Sequence, residues 1–341
     1  MVMDYRSFSF TDKIHRSLGP KVHEPGEDIE TIKRMLLSDK PCMIARIGSV
    51  EFQALTLVRY YPLSIFLKKR SFCQIQNNAG FFPVSMKSLR DFYKVYKESI
   101  KEMDLLVRWR VEELLFCDWF NKKPYVHLYG FHPFFQPEHP WTYALKGKHV
   151  LVVHPFAETI ESQYNNHRKD LFKNEEMLPE FASLQTIKAV QSIAGNPVGF
   201  STWFEALNWM KTEIDKKDFD IALLGCGAYG VPLAAHIKQN GKKAVYVGGV
   251  LQLLFGIKSV RFESSKISSP FINEYFVYPS DADRPENADL VEGGDIPMPR
   301  GNENRSGGAA GGDGADVSSS APRKPRRSLC RQLDCDLRGS V

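Results

Sequence analysis

A chain of 341 residues, 43% hydrophobic and 25% charged, holds enough apolar material for one large domain or two ordinary ones, which excludes a disulfide-stapled miniprotein, a collagen-like repeat and a wholly disordered chain. Its 45 basic and 40 acidic side chains leave a net charge of +5, so charge alone gives no case for nucleic-acid binding, while a small anionic ligand stays open. Six cysteines, Cys42, Cys73, Cys117, Cys226, Cys330 and Cys335, form no CxxC pair and sit near no His-rich motif, a pattern of reduced thiols rather than of a disulfide frame or zinc site.

The N-terminal arm, residues 1–26, carries Asp4, Arg6, Asp12 and Lys13 and lacks the apolar core of a secretory signal. From residue 27 to about 293, short β-branched runs alternate with helical patterns, which predicts an α/β domain: a Rossmann-like, mostly parallel sheet flanked by helices. Strands are expected at 42–47, 126–129, 149–153, 186–190, 219–224 and 244–247, and helices at 28–37, 51–59, 158–171, 203–216 and 231–239. Thr202 and Glu205 have the spacing of a capping box at the start of the fourth of these helices. Residues 85–120 place Leu89, Phe92, Tyr93, Tyr96 and Ile100 at helical spacing and show no strand signal, so they are expected as a helical insertion. The longest uncharged apolar stretch, 221–237, is broken by glycines and Pro232 and falls short of the ~20 residues of a spanning helix. No transmembrane segment and a cytoplasmic location are therefore expected. Beyond 293 the composition turns to Gly, Ser, Pro and Arg, and 294–341 is expected as a disordered tail, its basic cluster Arg323, Lys324, Arg326 and Arg327 solvated.

Chemistry concentrates at the predicted strand exits. In FDIALLGCGAYG, Gly225, Gly227 and Gly230 give G-x-G-x-x-G between a buried strand and a helix, where backbone N–H groups can approach a phosphate. The next strand ends in Gly248-Gly249 without the acidic residue that a dinucleotide site uses to hold a ribose. A tight turn serving only packing explains the same glycines. In ARIGSVEF, Arg46 and Glu51 flank a glycine turn at Gly48: Arg46 suits a phosphate and Glu51 a metal or sugar hydroxyl, with an Arg46–Glu51 ion pair as the structural alternative. In HVLVVHPFAETIESQY, His154 stands at a strand exit before Glu158, Glu161, Gln163 and Tyr164, so His154 and Glu158 are candidates for base or hydroxyl-binding roles. Gln76, Asn77 and Asn78 offer amides to sugar hydroxyls, or form a turn, and Gln252 adds a polar group beyond Gly248-Gly249. Trp109, Trp119, Trp203 and Trp209 read as core residues before sugar platforms.

The segments ARIGSVE, GCGAYG and YVGGVLQ resemble, in order, the three strand-end elements of glycosyltransferases of the GT-D fold, whose first element is an Arg-x-Gly-Asp-x-Glu-like segment. Over roughly residues 27 to 280 the chain is also similar to an uncharacterised, mostly bacterial set sharing HPFAETIESQY, IKAVQS, FDIALLGCGAYGVPLAAHIK and GGVLQLLFGIK. The resemblance implies transfer of a sugar from a nucleoside-diphosphate donor to a hydroxyl of a glycan or glycolipid, in polysaccharide biosynthesis, with Mn2+ or Mg2+ assisting the leaving group. It places Glu51 at the acidic end of the metal-binding pair, with Ser49 where the family has aspartate. Glu51, His154 and Glu158 are the catalytic candidates. Arg46, Gly48, Asn77, Asn78, Gly225, Gly227, Tyr229, Gly230, Gly248, Gly249 and Gln252 are the donor-binding ones. The alternatives are another Rossmann-like nucleotide enzyme, a methyltransferase or dehydrogenase, and a noncatalytic nucleotide- or glycan-binding protein.

Overall fold

Runs such as Ile221–Leu224 (IALL) are apolar at every position, the signature of a strand covered on both faces, and such strands build the centre of the molecule. The computed structural model describes residues 24–120 and 122–284, all inside one compact unit, Met1–Pro297. Residues 1–23 of the predicted arm and the whole predicted tail, with Cys330, Cys335 and the basic cluster, lie outside the described residues. Among the described residues, strands β1 (Met43–Ala45), β2 (Leu105–Arg108), β3 (Tyr125–His127), β4 (His149–His154), β5 (Ser183–Lys188), β6 (Ile221–Leu224) and β7 (Lys243–Tyr246) form one sheet in the order β3-β2-β1-β7-β6-β4-β5. Every pairing is parallel. The expected α/β class is therefore the observed one.

The longer helices are α1 (Pro25–Leu37), α2 (Ser49–Arg59), α3 (Lys68–Ala79), α4 (Met86–Lys101), α5 (Ala157–Leu171), α6 (Trp203–Asp215) and α7 (Gly230–Gln239). They cover the two faces of the sheet. Phe52, Phe92, Trp203 and Leu233 belong to one buried layer, with α2, α3, α4, α6 and α7. Ile32, Trp141, Ile160 and Phe255 belong to the other, with α1 and α5. At the start of α6, Thr202 Oγ1 accepts from the Glu205 N–H at 3.2 Å, while the Glu205 carboxylate accepts from the Ser201 N–H at 2.9 Å, one residue before the position a full box would use.

Two expectations are corrected. Residues 85–120 are not a helical insertion: after α4 the chain enters β2, which pairs with β1 and β3 inside the sheet. LLVR is buried over its first three residues, so a strand of four shows no alternation to betray it. The strand is pinned by the Asp104 carboxylate, which accepts from the Met43 N–H at 2.8 Å. The predicted Asn-Ala-Gly turn is not a separate turn but the end of α3, which holds Gln76, Asn77 and Asn78 and stops at the left-handed Gly80 (φ 70°).

Candidate functional site

In a parallel sheet every strand delivers its exit to the same edge, and a cavity of about 400 Å3 opens there. Its wall takes Arg46 to Glu51 from the exit of β1, His154 to Phe156 from β4, Gly225 to Gly227 from β6, and Gly249 and Gln252 from beyond β7. Asn78 at the end of α3 and Trp109 after β2 close it, and Lys258 and Arg261 add two cations. The segments that the sequence separates by two hundred residues meet here.

Arg46 is wedged between two supports. Its guanidinium carbon lies 4.9 Å from the centre of the Trp109 ring, and Trp109 is anchored by its indole N–H, which donates to the Ile47 carbonyl at 2.8 Å. On the other side stands Gly248 with φ 77°: a Cβ there would fall 2.4 Å from Arg46 Nη2, so the glycine is needed both for its backbone and for its missing side chain. Arg46 Nε is buried with no hydrogen-bond partner. Burial lowers the pKa of the guanidinium, an effect opposed by Tyr246 and Glu51 and reinforced by Arg261.

Glu51 is 5% exposed, at the third position of α2. Its carboxylate folds back over Gly48, where a Cβ would meet Oε2 at 2.0 Å, so Gly48 makes room for it. Burial raises its pKa, against the lowering effects of its own backbone N–H and of Arg46. The two side chains form no ion pair within 4 Å, and the structural alternative of an Arg46–Glu51 salt bridge is not realised. Ser49 opens the helix two residues earlier. Hard divalent cations need several oxygen ligands. Among the described residues Glu51 is the only carboxylate on this wall, beside three cationic side chains, and no cluster of three His, Cys, Asp or Glu forms. The residues present do not suit a divalent ion held by the protein alone.

His154 is 3% exposed, and burial lowers its pKa to about 3. Its Nδ1 accepts from the Phe156 N–H at 3.0 Å, which leaves the proton of the neutral ring on Nε2. At the cavity wall the ring is thus a hydrogen-bond donor rather than a base. Gly225 keeps it in place: a Cβ on Gly225 would stand 2.5 Å from His154 Cδ2.

The remaining glycines divide by role. Gly225 and Gly227 reach the cavity, as does Gly249. Gly227 has φ 56°, and its carbonyl accepts from the Tyr246 hydroxyl at 2.8 Å. Gly230 lies outside the wall and packs instead, since a Cβ would enter the Tyr246 ring at 2.2 Å. Tyr229 is 1% exposed and stacks on Trp203 with ring centres 5.1 Å apart, in the core. Gln252 reaches the wall while its side-chain N–H donates to the Ile257 carbonyl at 3.3 Å.

Other predicted residues stand apart. Glu158 is exposed and pairs with Lys188 at 3.1 Å, outside the cavity lining. Glu161 accepts from Thr186 at 3.3 Å, and Gln163 donates to the Tyr275 carbonyl at 2.8 Å. Asn77 donates to Cys73 Sγ at 3.5 Å, whereas its neighbour Asn78 lines the cavity. Trp119 and Trp203 pack in or against the core as expected, but Trp109 belongs to the site. Lys258 and Arg261 were not singled out from the sequence. They follow Gly248-Gly249 by about ten residues, and only the tight turn Gln252 to Ile257, closed by the Ile257 N–H on the Gln252 carbonyl at 3.0 Å, brings the chain back to the same edge.

No family model matches the sequence, and no curated protein does. Among solved structures the chain is similar to a selenomethionine-substituted structure of a domain of unknown function (DUF1792), with a TM-score of 0.40, 12% identity, and coverage of 80% of this chain and 94% of that one.

Proposed function

We propose that the chain is a glycosyltransferase that moves a sugar from a nucleoside-diphosphate donor to a hydroxyl of a glycan or other acceptor, with the cavity at the strand exits as its active site. Arg46 carries this reading: a half-buried guanidinium on the wall of a roughly 400 Å3 cavity, its Nε without a hydrogen-bond partner, suits an anion of phosphate geometry. Gly225, Gly227 and Gly249 let backbone approach the diphosphate, and His154 donates from Nε2. As the glycosidic bond to the diphosphate breaks, Arg46, Lys258 and Arg261 meet the charge that develops on the leaving oxygen. Glu51, the one carboxylate on the wall, takes the proton of the acceptor hydroxyl as the new C–O bond forms. The segments ARIGSVE, GCGAYG and YVGGVLQ, which carry the GT-D resemblance, supply most of these groups.

A thermal-shift panel of uridine, guanosine, cytidine and thymidine diphosphates, each with and without Mn2+, tests the reading. Stabilisation by one of them, followed by release of that diphosphate from the matching sugar donor, is the expected result. Stabilisation by S-adenosylmethionine or NAD instead would overturn it. Where a dinucleotide fold places its ribose-binding acid, this chain has Gly248 packed against the Arg46 guanidinium, which disfavours the dehydrogenase alternative.

A further inference from the structure

The helical hairpin α2–α3 starts at the cavity with Glu51, returns to it with Asn78, and carries at its far end an apolar tip. Leu63 is 83% exposed, Phe66 78% and Ile65 47%, with Tyr60 and Tyr61 exposed beside them. Three large apolar side chains so close together in water form a surface that a soluble fold normally covers. The tip is not loose chain. Ser64 turns inward, where its hydroxyl donates to the Leu57 carbonyl at 2.8 Å and its N–H to the Tyr60 carbonyl at 3.1 Å. The Leu67 N–H donates to the Ser64 carbonyl at 2.9 Å and the Tyr60 hydroxyl to the Leu115 carbonyl at 2.8 Å. Holding Ser64 in and its neighbours out presents Leu63, Ile65 and Phe66 together.

Basic residues outnumber acidic ones along the chain around this tip. Between Glu51 and Asp91 the sequence has no acidic residue and six basic ones: Arg59, Lys68, Lys69, Arg70, Lys87 and Arg90. Arg59 pairs with Asp118 at 2.8 Å, Lys69 and Arg70 are exposed in the helix turn that follows the apolar residues, and the Arg90 guanidinium lies 5.8 Å from the centre of the Tyr61 ring. An exposed apolar tip followed by a run of cations fits a surface that is apolar inside and anionic at its boundary.

We infer that the Tyr60–Leu67 tip docks on an anionic lipid surface, burying Leu63, Ile65 and Phe66 at the acyl boundary while Lys68, Lys69 and Arg70 meet the headgroups. The eleven residues of α2 span about 16 Å, so docking holds the cavity at roughly that height above the surface, within reach of a hydroxyl acceptor carried on a lipid. The docking itself does not depend on the sugar-transfer reading.

Flotation of the full chain tests it, with vesicles of phosphatidylcholine alone and with about 30 mol% phosphatidylglycerol, at about 0.1 M salt. The protein should float with the anionic vesicles and stay behind with the neutral ones. The double variant Leu63→Ser, Phe66→Ser should lose at least about tenfold in partitioning at an unchanged melting temperature, because both side chains are solvent-facing. Lys68→Glu, Lys69→Glu should lose a similar factor. A wild-type chain that does not float overturns the inference and leaves the tip to a protein partner. So does a double variant that floats as well as wild type, which would move the attraction to other basic segments such as Arg323 to Arg327. The thermal shift with nucleoside diphosphate, unchanged in the double variant, keeps this test separate from that of the active site.

Discussion

Replacing Arg46 separates ligand binding from stability, because its two effects have opposite signs. The Arg46 side chain is half-buried, its Nε has no hydrogen-bond partner, and among the described residues no carboxylate forms an ion pair with it. Exchanging a poorly compensated buried charge for an apolar side chain of similar length is close to neutral or stabilising. Against this stands the loss of the cation–π contact with Trp109 at 4.9 Å, about 0.5–2 kcal/mol. Arg46→Met should therefore stay within about 1 kcal/mol of wild-type stability in urea unfolding, a few degrees in Tm for a domain of this size. For a bound diphosphate the account reverses: a hydrogen bond between charged groups contributes about 1.5–3 kcal/mol, so affinity should fall roughly 10- to 150-fold by calorimetry at fixed salt. Arg46→Lys keeps the charge without the planar fork and should fall between the two. A Met variant that loses more than about 3 kcal/mol of stability while binding diphosphate as well as wild type would refute the reasoning and make Arg46 a structural cation.

Glu113 has its carboxyl pKa pushed up to about 7 by burial, against the Trp109 and Arg110 N–H groups that it accepts at 2.9 and 3.0 Å. An acid whose folded pKa is raised costs stability as pH rises from the unfolded value, near 4.5, to the folded one, so wild type should lose about 3 kcal/mol over that window and Glu113→Gln should not, as urea unfolding at about pH 4 and pH 8 will measure. The His154 ring, neutral down to about pH 3, should keep its donor role across the neutral range: the affinity difference between wild type and His154→Asn should be the same at about pH 5.5 and pH 8, and a change near pH 6.5 would show a titrating base instead. Gly227→Val should destabilise by about 1–2 kcal/mol rather than act as a clean probe of ligand contact, since φ is 56° and a Cβ would sit 3.1 Å from the Ala79 carbonyl oxygen. With one carboxylate on the wall, Mn2+ alone should leave Tm unchanged, and a rise at micromolar metal would restore the two-carboxylate site that Ser49 interrupts.

Much of the sheet was legible because parallel strands are apolar runs bounded by polar turns: 149–153 and 219–224 need only an end adjusted to become His149–His154 and Ile221–Leu224. β2 was not, since four residues buried on both faces between longer helical patterns carry no period. Strand exits were the readable part of the site, as Arg46, Glu51, His154 and Gly225 share one edge by topology alone. Glu158 lies one turn farther along the same segment and faces Lys188. A helix rotates its residues by about 100° each, so proximity to a strand exit does not fix which side of the helix start a side chain takes. Trp109, Lys258 and Arg261 were hidden for a different reason: each reaches the wall through a short irregular turn, whose path depends on tertiary hydrogen bonds such as that from Trp109 to Ile47.

On the cavity wall, polar side chains and the glycines that make room for them depart from ordinary packing together. Arg46 keeps a donor unpartnered, Glu51 is buried without an ion pair, His154 holds a neutral ring where water would protonate it at low pH, and Gly48, Gly225 and Gly248 each surrender a side chain to let these three groups stand where they do. Elsewhere some buried polar side chains are satisfied by backbone, as Ser64 is by Leu57 and Gln163 by Tyr275, while other buried atoms, Arg108 Nε and His132 Nδ1 among them, have no hydrogen-bond partner. Burial of charge and of an unused donor costs stability, and under the proposed function a ligand that presents acceptors to Arg46 and His154 and a hydroxyl to Glu51 offsets part of that cost. A diphosphate joined to a sugar, with an acceptor hydroxyl beside it, offers all three.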